Sequence, residues 1–191
     1  KEQMAESFSL ERVNPNPARF DVKKCTAING DWIRHLASDD LVERLVPYLQ
    51  RDGVIDSTPS VEDMNLVRAV VPLISERLET LGQASAMVGF LFTDDITIDA
   101  GDAEKIMGDQ AGDVLQAAEA ALAGLDEWTT EAIEGALRAA LIDERGLKPK
   151  VAFGPVRLAI TGRRVSPPLF ESMELLGADR SLDRIRSLHA S

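Results

Sequence analysis

The chain has 191 residues, of which 45% are hydrophobic and 28% charged, with a formal net charge of −11. That length and apolar content suit one large or two small globular domains, and no apolar run approaches the ~18 residues needed to cross a bilayer. The acidic balance argues against indiscriminate binding of nucleic acid while leaving room for a focused basic site.

The first residues, KEQMAESFSLERV, are charged and lack the apolar core of a signal peptide. Helical periodicity then dominates, and strand-like alternation is nearly absent. Residues 13–19, VNPNPAR, read as a loop punctuated by proline and asparagine. Asp21 can cap a helix reaching Ile28; Asn29-Gly30 interrupts it, and Trp32, Ile33 and Leu36 resume the apolar stripe. Ser38 is placed to cap LVERLVPYL. Ser60 and Asp63 have the spacing of a capping box. The long helix that follows has Leu66, Val70, Leu73, Ile74 and Leu78 along one face and ends at Gly82. Arg77 falls late on that helix, between Glu76 and Glu79. Residues 84–92 form a further helix, closed by Thr93-Asp94-Asp95.

The second half begins with an alanine-rich amphipathic helix over residues 103–122, and Thr129 or Thr130 starts another that runs to about Arg145. Residues 146–150 lead into three helices near 152–160, 166–176 and 181–189. In the last group Thr161-Gly162 ends one helix, and Ser166-Pro167-Pro168 opens the next as an N-cap serine followed by first-turn proline. The fold expected is all-α, as two consecutive helical bundles divided near residues 94–102, where small and acidic residues cluster.

Charge separates the two ends. From Arg145 to Ser191 there are nine Lys/Arg against four Asp/Glu, a net of +5, whereas the other residues carry 12 against 28, a net of −16. A basic tail on an acidic body is what a local phosphate contact needs. Arg157, Arg163 and Arg164 crowd together there, and could neutralise phosphates or fork onto a base edge. They could equally be solvated arginines complementing a helix C-terminus. Likewise the Pro167-Pro168-Leu169 corner could present an apolar edge to an unstacked base, or Leu169 and Phe170 could pack inward.

Enzyme signatures are absent: there is no GxGxxG, no GxxxxGK[ST], no HExxH and no GxSxG. Asp94 and Asp95 read as a solvated helix end. Cys25, the only cysteine, excludes an internal disulfide, suits a reducing compartment such as the cytoplasm, and reads as structural. With His35 and His189 as the only histidines, no metal-ligand spacing exists. No residue is assigned a catalytic or metal-binding role.

One stretch is more specific. The block FGPVRLAITGRRVSPPLFESMELLG, residues 153–177, resembles the anticodon-binding region of bacterial-type glutamyl-tRNA synthetases, which are class I enzymes. The resemblance extends through DEWTTEAIEGAL (126–137) and FLFTDD (90–95) to ERVNPNPARFDVKKCTAINGDWIRHL (11–36), the last similar to the end of that family's stem-contact region. Almost the whole chain is covered, and Cys25 stands where the family usually has leucine, a change between two apolar side chains.

The resemblance implies three segments: the end of the stem-contact region over 1–36, a first anticodon-binding bundle over 37–95 and a second over 96–191. It implies that Arg77 reads the third anticodon base, and that Arg157, Ser166, Pro167 and Leu169 hold the first and second. Lys24 is a candidate contact to RNA backbone, and Arg163 and Arg164 join it on charge alone. The expected partner is the anticodon loop of the glutamate tRNA, met by a monomer with no membrane association. The family's HxGH-type and KMSKS-type motifs do not occur, so the resemblance places the catalytic domain, with its ATP and Mg, upstream of Lys1 and implies no cofactor or catalysis here. The rival expectation is a helical protein–protein scaffold without RNA binding.

Overall fold

A computed structural model describes residues 5–10 and 21–190. The VNPNPAR loop and the whole 11–20 portion of the resemblance lie outside the described residues. Among these there are helices and no strands.

The first half is built from α1 (Val22–Arg34), α2 (Ser38–Arg51), α3 (Val61–Ile74) and the short α4 (Ala84–Val88). Asp21 caps α1 by accepting from the Lys24 N–H at 3.1 Å. Contrary to the sequence expectation, Asn29-Gly30 does not break this helix. It is the contact point: Asn29 Nδ2 donates to the Glu79 carbonyl at 2.6 Å, and a Cβ on Gly30 would sit 3.3 Å from both the Glu79 Cα and the Leu78 carbonyl. The missing side chain lets α1 lie directly on the 78–79 backbone. The cap of α2 is Ala37, with no side-chain bond, and Ser38 is already helical. The capping box at Ser60 and Asp63 forms as the spacing suggested, with both reciprocal bonds at 3.0 Å.

Two boundaries differ from the periodic pattern. The long third helix stops at Ile74 rather than at Gly82 and tightens into a 3₁₀ turn, Ser75–Arg77, before Leu78 adopts extended backbone. Pro72 lies in its last turn, where it removes one helical N–H. Leu78 still reaches the core, fully buried, which is why its spacing looked helical. The 103–122 helix is two helices, α5 (Ala100–Ile106) and α6 (Ala111–Ala123). Met107 leaves the helical region at ψ 74°, and Gly108 and Asp109 turn the chain between them.

Then come α7 (Thr130–Arg138), α8 (Pro149–Thr161), α9 (Leu169–Leu176) and α10 (Ala178–His189). Thr129 caps α7, which continues into a π-helical turn over Ala139–Asp143. The DEWTT block earns its place by docking on α9: Trp128 Nε1 donates to the Met173 carbonyl at 2.8 Å, and the Thr130 N–H to Glu174 Oε2 at 2.9 Å. Around α10 pack α6 and α8, and α9 reaches across to α3 in the first half. One continuous apolar core follows, running from Leu41, Leu45 and Val67 through Leu91 to Leu137, Ile160 and Ile185.

Candidate nucleic-acid interface

Gly162 ends α8 in left-handed backbone, φ 74°, donating its N–H to the Leu158 carbonyl at 2.8 Å. A Cβ there would lie 2.4 Å from the Thr97 carbonyl oxygen, so only glycine lets the 97–99 strand of backbone pass so closely. Asp99 then donates to the Gly162 carbonyl at 2.9 Å. Asp102 takes the Arg164 N–H at 2.8 Å and faces its Nε at 3.6 Å. The Thr161 hydroxyl receives the Arg163 N–H at 3.3 Å. The turn after α8 is thus fixed on both sides, with Arg163 and Arg164 exposed on it.

Ser166 does not cap α9, as the sequence suggested. The cap position is Pro168, and the helix starts at Leu169. The reason is a competing partner: Arg157 Nη1 donates to Ser166 Oγ at 2.6 Å and to the Pro167 carbonyl at 2.9 Å. A charged donor outcompetes a backbone amide for the same hydroxyl. Ser166 and Pro167 are consequently buried, and Leu169, 3% exposed, packs inward, the second of the two arrangements its position allowed. Arg157 therefore organises the SPP corner from beneath.

Arg77 is exposed at the end of the 3₁₀ turn rather than on the long helix. Its position in space matters most. Burial, and then the Arg77 charge, hold the half-buried Arg157 guanidinium below its ordinary value, with Glu171 acting the other way. Two arginines 80 positions apart in sequence are near enough to repel. Facing like charges cost Coulomb energy in the free protein, and an anion between them would relieve it. So Arg157, Ser166 and Pro167 come together at one corner, next to the turn bearing Arg163 and Arg164, and the charge of Arg77 reaches it. Lys24, exposed on α1, is not tied to that corner by any contact described.

What the sequence did not reveal is which arginines of the basic tail are already committed. Arg184 is 6% exposed; it donates to the Ile160 carbonyl at 2.7 Å, to the Phe90 carbonyl at 2.8 Å, and to the Thr93 carbonyl. Arg180 donates to the Leu91 carbonyl at 3.0 Å and to the Thr93 carbonyl, and its Nε faces Asp94 at 3.3 Å. The FLFTDD block is therefore a receiving site for two arginines of α10. Among the described residues no group of three or more His, Cys, Asp or Glu could hold a metal ion, and no helix is long and apolar enough to cross a membrane.

The family model described as "anticodon binding domain" matches residues 40–188. The chain is 53% identical over 187 residues to a glutamate–tRNA ligase of Saccharopolyspora erythraea, covering 97% of this chain and 37% of that one. It is 50% identical over 188 residues to the glutamate–tRNA ligase of a Nocardioides species, covering 97% and 38%. It thus spans a little over a third of the length of these curated relatives. Its fold is similar to that of a glutamate tRNA ligase structure from Elizabethkingia meningosepticum, with a TM-score of 0.78 at 19% identity over all of this chain and 36% of the other.

Proposed function

The chain belongs to the anticodon-binding domain family, and from that premise we propose that it recognises the anticodon loop of a glutamate tRNA for a glutamate–tRNA ligase. Arg77 offers its fork to the third anticodon base, where a carbonyl edge such as that of cytosine can accept both N–H groups. Arg157, Ser166 and Pro167 form the corner for the first and second bases, with Leu169 supporting it from the core. Arg163 and Arg164 meet phosphates beside the corner, and Lys24 is a more distant backbone contact. A single copy suffices, because every group named comes from one chain. Activation of glutamate with ATP and Mg, and its attachment to the tRNA, belong in this reading to the whole enzyme.

The observation that supports this most is the corner that Arg157 builds with Ser166 and Pro167, within reach of the Arg77 charge. Bases splayed from a loop bring both a polar edge and a phosphate to such a place. The test is a titration of the chain with a glutamate-tRNA anticodon stem-loop. Saturable binding that weakens with salt and when the anticodon is changed supports the reading; no binding at 50 mM salt overturns it. The scaffold alternative draws on one feature, the exposed Val22, Ile28 and Trp32 of α1, and the second outcome would favour it.

A further inference from the structure

A groove of about 830 Å³ opens between the start of α6, the start of α8 and the end of α5. That volume lies in the ~300–1,000 Å³ range of sites that enclose a small molecule. Lys105, Lys150, Arg157 and Arg164 line it against one carboxylate, Asp109. Arg164 already faces Asp102 at 3.6 Å, so the other three cations less Asp109 leave the wall a net +2 in a chain whose total is −11. Two 13-residue helices, α6 and α8, begin at its rim, and neither start carries a side-chain cap, which puts their positive ends beside it. Its floor is apolar, with Ile106 and Phe153 beside Val151, which is 43% exposed. Gly154 keeps the floor open: a Cβ there would touch Ile106 at 3.4 Å. Phe153 is held from behind by the edge of Phe170, ring centroids 5.4 Å apart.

We propose that this groove is a second nucleotide site, taking an unstacked base of single-stranded RNA against its floor while Lys105 and Lys150 hold the flanking phosphates. An apolar slot ringed by cations matches a nucleotide, whose base is flat and apolar on its faces and whose phosphate is anionic. Arg157 belongs to both the groove and the SPP corner, so one strand can pass from one to the other. The inference rests on the function proposed above.

Lys105 and Lys150 are exposed, so their removal leaves the fold intact, which a melting curve checks. The experiment compares wild type with Lys105→Gln/Lys150→Gln in binding a glutamate-tRNA anticodon stem-loop across 50–200 mM salt. It also places a photo-crosslinking residue at Val151. Each phosphate contact on a single strand contributes ~0.7 to the salt slope. The expected result is a slope shallower by about 1.4, weaker binding at 50 mM, and a crosslink from position 151 to one loop nucleotide. An unchanged slope with no crosslink at 151, while Arg157→Ala still weakens binding, overturns the groove site and leaves the anticodon reading standing. Absence of wild-type binding overturns the reading itself.

Discussion

Two arginine pairs lie in the second half of this chain and its contacts, and they behave oppositely. Arg180 and Arg184 of α10 spend their donors on backbone carbonyls of residues 90–93 and on that of Ile160. Burial pushes the Arg184 guanidinium down to about 10, still well above neutral pH, so it remains charged, with both terminal nitrogens bonded to carbonyls. Arg77 and Arg157 come from two halves of the chain; Arg157 donates to Ser166 and Pro167, and Arg77 makes no side-chain hydrogen bond among the described residues. The lesson is that a count of basic residues measures neither available charge nor binding capacity. What matters is which guanidiniums the backbone has already saturated.

The contrast can be broken by removing one member of each pair. Arg184→Ala strips the Ile160 and Phe90 carbonyls of this donor and leaves Thr93 to Arg180 alone, all in a buried place, and should cost about 4 kcal/mol. For a chain of this size that lowers Tm by ~10 °C. Thermal unfolding reads it, and Arg184→Lys should recover little, because an ammonium cannot span the acceptors of a fork. A Tm within 2 °C of wild type contradicts the assignment of this pair to the fold. Gly162→Ala forces left-handed backbone and a clash with Thr97, and is expected to cost about 2 kcal/mol. It should also disturb RNA binding, since the same turn carries Arg163 and Arg164.

Arg157→Ala probes the pair at the SPP corner. Stability should fall by about 2 kcal/mol, half the Arg184 loss, for the two bonds to the SPP corner, while affinity for an anticodon stem-loop should fall about tenfold. Binding isotherms at two salt concentrations check it. A large stability loss with unchanged binding would move Arg157 into the class of Arg184.

Much of the fold was legible beforehand, for local reasons. Asp21, Ser60 with Asp63, and Thr129 signal helix starts because each needs only its own next three residues. Gly162 marks a helix end for the same reason. Two of the misreadings are places where a distant partner decides. Gly30 looked like a break, yet it is the seat of α1 on residues 78–79. Ser166 looked like a cap, but Arg157 takes its hydroxyl. The turn at residues 107–110 was hidden because alanine and apolar residues keep a helical period on both sides of Gly108. At the candidate site, periodicity marked none of the residues as functional. The resemblance named Arg77 and Arg157, and only the folded chain brings them together.

The most direct test of that meeting uses Arg77, which is exposed and makes no side-chain bond among the described residues, so Arg77→Gln should fold as stably as wild type. Wild type and this variant are titrated with a glutamate-tRNA anticodon stem-loop and with a copy differing only in the third anticodon base. The account predicts that wild type prefers the native loop by about tenfold, in line with ~1–3 kcal/mol for a good base contact, and that Arg77→Gln binds the two loops equally. Wild type binding both loops equally, or the variant keeping the full preference, would contradict it.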